Sequence, residues 1–325
     1  MARLTENKIV LITRRTRLDE LIARYNTVDQ ARFYVESLGE DFGDYQLEHS
    51  VYREAVGRLI AELAGLGRVQ NVDRAFLPSF LFGPEDTVVV TGQDGLVANT
   101  LKYLDDQPVV AVNPDPDRWD GALLPFKVNQ AAQAVRRVFK KQAGFKEITM
   151  AMAQLPGGAK MYAVNDLFIG PKSHTSARYI LKAGQNSETQ SSSGVIVSTG
   201  LGSTGWLASI LAGARGVARL SRSLWPGRKS PAEPDPAGRP EPVSAQFDWS
   251  ADYLFYSVRE PFPSRTTGTE MSFGRVDKGH PLSITSLMSS PGVIFSDGLE
   301  EDFWEFSSGQ KAVIQVADKK GQLVM

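Results

Sequence analysis

The chain has no cysteine, which excludes disulfides and thiolate metal sites. It has only three histidines, His49, His174 and His280, far apart and in no ligand spacing, so a zinc site is not expected. It has almost no net charge: 36 basic side chains against 37 acidic ones leave −1 over 325 residues. That balance argues against a nucleic-acid binder that relies on broad phosphate neutralisation and leaves a local basic site open. No apolar run approaches the length of a membrane span. The opening MARLTENKIVLITRRTR has too short an apolar core for a signal peptide, and it carries Glu6, which transit peptides tend to avoid. These absences together predict a soluble, cytoplasmic protein, with neither a nucleic-acid nor a membrane partner.

What is present is an ordinary globular composition, 42% hydrophobic, in a chain long enough for one large domain or two medium ones. KIVLIT (8–13) and DTVVVTG (86–92) read as strands covered on both faces, and PVVAVN (108–113) as a third. Residues 17–38 carry helix-like patterns broken near Asn26. HSVYREAVGRLIAELAGLG (49–67) repeats Val51, Ala55, Leu59, Leu63 and Leu66 at helical spacing, and LVANTLKYL (96–104) is a further helix. Strands alternating with helices predict an open parallel α/β sheet.

After one more helix, NQAAQAVRRVFKK from Asn129, short strand patterns follow at close spacing: EITMAMAQ, KMYAVNDLFIG, ARYILKA, GVIVSTG, YLFYSVRE, GVIFSD and KAVIQVAD. They predict a β-rich second domain, interrupted by a helix in STGWLASILAGA from Ser203. The expected division is an α/β domain over 1–126 and a β-rich domain over 127–325, with the tail free to return to the first. PGRKSPAEPDPAGRPEP (226–242) holds six prolines and is expected to be a mobile surface loop. There is no internal repeat.

Four constellations can carry chemistry. In Gly92-Gln93-Asp94-Gly95 a strand enters a helix through a glycine-bracketed turn, where backbone N–H groups favour anions and glycine admits a close ligand. Asp94 there can accept a proton from a hydroxyl or help hold magnesium near phosphates; the plain alternative is an ordinary turn. In Thr199-Gly200-Leu201-Gly202-Ser203-Thr204-Gly205-Trp206 a second joint offers three glycines and three hydroxyls. It is a nucleotide cradle or a small-residue turn that lets a helix pack close to the sheet, and it fits neither the P-loop nor the Rossmann spacing. Asn165-Asp166 interrupts an apolar run, so at least one polar side chain faces inward if both faces are covered; an edge strand or bulge is the alternative. Arg14, Arg15 and Arg17 follow the first strand and either neutralise phosphates or form a solvated charge run. Trp206, Trp304 and Tyr179 are rings near these motifs, each either core or a stacking platform.

In this order, the acid turn, the Asn-Asp pair and the second joint resemble the NAD kinase family. That family carries Gly-Gly-Asp-Gly, then Asn-Glu, then Thr-Pro-Thr-Gly-Ser-Thr-Ala-Tyr. The stretches VNPDPDRWDGAL (112–123), SSGVIVSTGLGSTGW (192–206), YSVREPFPSR (256–265), LITRRTR and SDGLEEDFWEF look closest to the mitochondrial-type branch. The resemblance covers nearly the whole chain.

The resemblance implies an N-terminal α/β domain, a β-rich C-terminal domain and a site in the crevice between them. It implies a transferase that moves the γ-phosphoryl of ATP to the 2′-hydroxyl of the adenosine ribose of NAD, giving NADP, with Mg²⁺ and as a homodimer or higher homo-oligomer. Asp94 matches the family's general base. Gly92, Gln93 and Gly95 would border phosphates, and Asn165 would hydrogen-bond the adenine with Asp166 beside it in place of Glu. Thr199, Gly202 and Ser203 belong to the second motif. Thr204, Gly205 and Trp206 match the segment lining the dinucleotide pocket, and Asn113 ends the strand after the acid motif. No metal ligand is assigned to the protein. Gln93 and Leu201 depart from the family pattern, replacing a glycine and a hydroxyl; Ser193 is branch-like. Two other readings stay open: a non-catalytic dinucleotide-binding protein, and a kinase for a sugar or lipid hydroxyl.

Overall fold

The structure, a computed structural model, describes residues 3–224, 246–298 and 302–325. The proline-rich stretch 226–242 lies outside the described residues. The chain divides into two compact units: residues up to Glu147 together with Lys319–Met325, and Ile148–Asp318.

The first unit is built on parallel strands. β1 (Lys8–Thr13) lies between β2 (Arg68–Asp73) and β3 (Thr87–Thr91), and β3 is followed by β4 (Pro108–Asn113). All these pairs are parallel. The short β5 (Phe126–Lys127) extends the far end of β4, and Gln322 and Leu323 near the chain's end pair in parallel with Pro108 and Val109. Residues 9–12, 88–90 and 109–112 are fully buried, as strands with both faces covered must be.

Helices α1 (Arg17–Tyr25), α2 (Val28–Ser37) and α3 (Phe42–Ala64) connect β1 to β2. Thr16 caps α1 in a reciprocal capping box with Asp19, and Asn26 ends it at φ 68°, which is why the helical pattern breaks there. Helix α4 (Asp94–Leu101) connects β3 to β4, and α5 (Ala131–Phe139) packs its Ala131, Ala134 and Val135 into the core formed by β1, β3, β4 and α3.

The β2–β3 connection carries only a 3-10 turn (Arg74–Ser79). From β1 the chain first adds β2 on one side and then β3 on the other. The strand order therefore reverses at β1, the point where open α/β sheets bind ligands beyond the strands' carboxyl ends.

The second unit is antiparallel. One sheet runs β13 (Phe273–Asp277), β12 (Tyr253–Val258), β11 (Val195–Ser198), β8 (Asp166–Pro171), β15 (Gly292–Ser296), β16 (Trp304–Phe306). The facing strands are β10 (Asn186–Ser192), β9 (Ala177–Ala183), β14 (Leu282–Ser286) and the first part of β17 (Lys311–Val324), with β6 (Phe145–Gln154) paired to β7 (Lys160–Ala163). Leu167, Ile169, Val195 and Val197 of the first sheet meet Leu181, Ile284 and Ile314 of the second in one apolar core. On the other face of the first sheet, Phe168, Ile196 and Val293 pack against Trp206 and Ile210 of α6 (Trp206–Leu224).

The stretch KMYAVNDLFIG is two strands rather than one. β7 ends at Ala163 and β8 begins at Asp166, because the N–H groups of Val164 and Asn165 between them are diverted to the Asp297 carboxylate.

Candidate functional sites at two strand-to-helix joints

In the first unit, Arg14 and the 92–95 turn follow the carboxyl ends of β1 and β3, and Asn113 is the last residue of β4, on three adjacent strands. Asp94 is the first residue of α4, where the helix dipole favours a carboxylate. Both of its oxygens accept backbone N–H groups from the loop after β4: Ala122 at 3.1 Å and Leu123 at 2.8 Å. Each oxygen keeps a second lone-pair site for a hydroxyl proton or a cation.

Asn113 builds that loop. Its Nδ2 donates to the Trp119 carbonyl at 2.8 Å and its Oδ1 accepts the Asp115 N–H at 3.0 Å. Gly121 stands at φ 65°, and a β-carbon on it would lie 2.8 Å from Asn113 Nδ2, so a side chain there would be both strained and obstructed. Gln93 is the residue before α4 and makes no side-chain cap; its carbonyl accepts the N–H groups of Leu96 and Val97 instead. Gly95 is exposed, and a β-carbon on it would meet nothing within 4 Å.

Tyr52, Asp44 and Glu48, not marked by sequence pattern, hold this edge together with Arg14 and Arg17. The Tyr52 hydroxyl accepts the Arg14 N–H at 2.9 Å and donates to the Thr91 carbonyl at 3.1 Å, tying the ends of β1 and β3. Burial pushes its phenol up to about 12, so it remains a donor. A relay of ion pairs then crosses the edge. Arg14 pairs with Glu48 at 2.9 Å, Glu48 with Arg17, Arg17 with Asp44 at 2.7 Å, Asp44 with Arg118 at 2.6 Å, and Arg118 with Asp115 at 3.3 Å. Burial alone would raise the Glu48 carboxyl, but Arg17 and Arg14 hold it below its usual range. Arg118, then Arg17, hold the Asp44 carboxyl far below its own. Asp44 and Glu48 are one helical turn apart on α3, a signal visible in sequence. The relay ends in the loop that grips Asp94.

In the second unit, Asn165, Asp166 and the 199–206 joint form one cluster. Thr199 Oγ1 donates to the Val164 carbonyl at 2.5 Å, and the Thr199 N–H to the Asn165 carbonyl at 2.9 Å. Ser203 Oγ donates to the Gly200 carbonyl at 2.6 Å. Two of the joint's three hydroxyls are therefore consumed internally, and both residues are fully buried. A β-carbon on Gly202 would collide with the Asn165 backbone, and one on Gly200 with that of Asp248. Leu201 is buried beside them, whereas Thr204 and Gly205 are exposed. Trp206 stacks on Phe168 at 5.8 Å between centroids, with the Arg259 guanidinium 5.4 Å from its ring. Tyr179 is core, its hydroxyl 2.7 Å from Ser192 Oγ.

Asp297, which lies in the SDGLEEDFWEF stretch but has no role assigned to it there, organises the Asn-Asp pair. Its carboxylate accepts three successive backbone N–H groups: Val164 at 3.1 Å, Asn165 at 2.6 Å and Asp166 at 3.2 Å. It does so from φ 55°, followed by Gly298 at φ 72°; the Ser-Asp-Gly run was the available signal. Asp166 Oδ1 is shut from solvent and has no hydrogen-bond partner. Burial pushes the Asp166 carboxyl up to about 7, against a lowering bond from Ser198, and the nearby Asp297 charge raises it further.

No protein-family model and no curated protein matches the chain. Solved structures do. A yeast NADH kinase complexed with NADH aligns over 98% of this chain and 84% of its own, at 13% identity and a TM-score of 0.58. An NAD kinase from Archaeoglobus fulgidus in complex with ATP aligns over 98% and 93%, at 13% identity and a TM-score of 0.54. The chain has the fold of the NAD kinases. At this identity the likeness carries the fold and leaves the chemistry to the residues. Among the described residues no helix is long and apolar enough to cross a membrane.

Proposed function

We propose that this protein is an ATP-dependent NAD kinase of the mitochondrial-type branch, forming NADP from NAD. The observation that carries the reading is Asp94: a carboxylate beyond a parallel strand's carboxyl end, next to the strand-order reversal, with both oxygens aimed by backbone donors. In the reaction the ribose 2′-oxygen attacks the γ-phosphorus, the bond to the bridging oxygen breaks, and ADP leaves. The proton of the 2′-hydroxyl passes to Asp94. Phosphoryl transfer asks the protein mainly for position and charge, which a chain without cysteine can supply.

Gly92, Gln93 and Gly95 border the phosphates, and Arg14 and Arg15 offset their charge. The Asn165 amide reads the adenine, its backbone already fixed by Asp297 and Thr199. Asp166 stands beside it, one oxygen buried and without a hydrogen-bond partner. Thr199, Gly202 and Ser203 frame that pair, Thr204, Gly205 and Trp206 line the dinucleotide pocket, and Asn113 sets the loop that aims Asp94. Magnesium, held largely by substrate phosphates as is usual for this ion, would supply charge neutralisation, and the spare lone pairs of Asp94 fit it. A cytoplasmic homodimer or higher homo-oligomer completes the reading, which sedimentation at micromolar concentration tests.

The experiment is to incubate purified protein with ATP, Mg²⁺ and NAD and to measure NADP enzymatically, with NADH and polyphosphate as alternative substrates. NADP accumulating in proportion to enzyme is the expected result. Saturable NAD binding without product would favour the second reading, a dinucleotide-binding protein, for which the uncapped Gln93 and the buried Leu201 speak. Product on a sugar or lipid hydroxyl instead of NAD would point to a different acceptor.

A further inference from the structure

The seam between β1 and β3 stops early. On the other side of β1 the pairing with β2 runs through Thr13 and Asp73, and on the other side of β3 the pairing with β4 runs through Thr91 and Val112. Between β1 and β3 the last pair is Ile12 with Val90. The Gly92 N–H donates to the Val112 carbonyl of β4 at 3.4 Å. Backbone groups of successive residues alternate sides along a strand. Gly92 therefore turns its backbone toward β4, and Thr91 turns its carbonyl toward β1. The next rung of this parallel ladder is the Arg14 N–H on the Thr91 carbonyl.

The Tyr52 hydroxyl occupies that rung. It accepts the Arg14 N–H at 2.9 Å and donates to the Thr91 carbonyl at 3.1 Å. A direct rung sets nitrogen and oxygen about 2.9 Å apart, whereas a hydroxyl inserted at its tetrahedral angle sets them roughly 5 Å apart. The strand ends are thus splayed by one oxygen, at the place where the strand order reverses.

The wedge is firmly held. Tyr52 is 4% exposed, and burial pushes its phenol up to about 12, so the hydroxyl keeps its proton and its donor role. The Arg14 guanidinium lies 5.0 Å from the ring centre. Glu48, one turn earlier on α3, pairs with the same guanidinium at 2.9 Å. Helix α3 therefore grips Arg14 twice, by backbone and by side chain. Holding the seam open also leaves polar groups unsatisfied. Arg14 Nε and Thr91 Oγ1, on its two sides, are shut from solvent and have no hydrogen-bond partner among the described residues. Backbone pairing alone gives no reason for such a splay.

We infer that Tyr52 is a positioning residue for the transfer step: its hydroxyl holds the β1 and β3 ends apart and so fixes where the 92–95 turn presents Asp94. The inference rests on the kinase reading above. Thr91 leads directly into that turn, and Gln93 makes no side-chain cap that sets the turn on its own. Tyr52 acts through the Thr91 carbonyl. A misplacement of about 1 Å, caused by a change remote from the chemistry, costs up to about a hundredfold in rate.

The test compares the full-length wild type with Tyr52→Phe, which keeps the ring and its packing and deletes the hydroxyl. A third protein carries 4-aminophenylalanine at position 52, which restores a donor to the Thr91 carbonyl. Steady-state NADP formation from ATP, Mg²⁺ and NAD gives kcat and KM, and crystal structures of wild type and Tyr52→Phe give the separation of Arg14 N from Thr91 O. In Tyr52→Phe, kcat should fall about ten- to a hundredfold while KM for NAD stays within about twofold. The seam should close to a direct hydrogen bond, and the amino side chain should recover part of the rate. Wild-type kcat in Tyr52→Phe, a KM for NAD that rises as kcat falls, or a seam that stays open without the hydroxyl would overturn the assignment. If wild type makes NADP and Tyr52→Phe turns over equally fast, the positioning role is wrong and the kinase reading stands. If wild type makes no NADP while the seam closes in Tyr52→Phe, the wedge stands and the kinase reading fails.

Discussion

At the first joint a β-carbon on Gly95 would meet nothing within 4 Å; at the second, β-carbons on Gly200 and Gly202 would strike the backbones of Asp248 and Asn165. In sequence the two look alike, each a buried strand running through glycines into a helix. In space the first leaves room at Gly95, although a β-carbon on Gly92 would lie 2.9 Å from Leu96 Cδ2, and the second has already spent its room and two of its hydroxyls on its own packing. The glycine-rich joint is thus two devices: an open turn that displays Asp94, and a closed turn that holds Asn165 and Asp166 in place. The carboxylates differ likewise. Asp94 is satisfied by two backbone donors, whereas one oxygen of Asp166 has none.

The largest structural effect is expected where the closed joint is anchored. Asp297→Ala leaves three backbone N–H groups without their acceptor, at about 1–3 kcal/mol for each that stays buried. Urea unfolding should show a loss of about 3 kcal/mol or more, with Asp297→Asn recovering part of it. Next comes the buried acid. With an unfolded value of 3.8 and a folded value of about 7, Asp166 keeps its proton in the folded chain after the unfolded chain has released it. Its contribution to stability is therefore present at low pH and declines as pH rises from about 4 to about 7, by roughly 2–4 kcal/mol in total. Unfolding followed from pH 4 to 8.5 should show that decline in wild type and lose it in Asp166→Asn.

The comparison sharpens with paired glycine substitutions. Gly202→Ala should cost about 1–3 kcal/mol through the forced backbone shift. Gly95→Ala, inside α4 and unobstructed, should leave stability equal or raise it by up to about 1 kcal/mol, while weakening nucleotide affinity. Similar costs at both positions would break the distinction. Arg118→Ala should also have a small effect on stability, below about 1 kcal/mol, because its partner Asp44 is substantially exposed and screened by solvent. Its turnover should nevertheless fall with NAD affinity intact, since Arg118 holds the loop that aims Asp94.

Much of the fold was legible because its central strands are apolar throughout: residues 9–12, 88–90 and 109–112 are fully buried. The strands without a clear signal are mostly at edges. β2, β10, β13 and β16 end their sheets, and an edge strand needs no second apolar neighbour. Helix α3 starts at Phe42 rather than His49: its first turns present Asp44 and Glu48 to arginines, while Phe42 and Tyr45 pack on a small cluster with Leu18, Ala31 and Val35 that breaks the longer apolar repeat. At the joints, Asp94, Asn165 and Asp166 stood out by residue type and position. Their partners did not. Ala122 and Leu123 act through backbone N–H groups, which no side chain advertises, and Asp297 acts across more than 130 residues of sequence. The division of labour between the two joints was equally hidden, because a glycine chosen for access and one chosen for packing are the same letter.

The most direct measurement is turnover of Asp94→Asn beside wild type with ATP, Mg²⁺ and NAD, with the dissociation constant for NAD determined on both. A positioned general base is worth about 10²–10⁴ in rate. The account predicts NADP formation by wild type, a fall of that size in the variant, and NAD affinity within about twofold. An Asp94→Asn protein that forms NADP at the wild-type rate would contradict it.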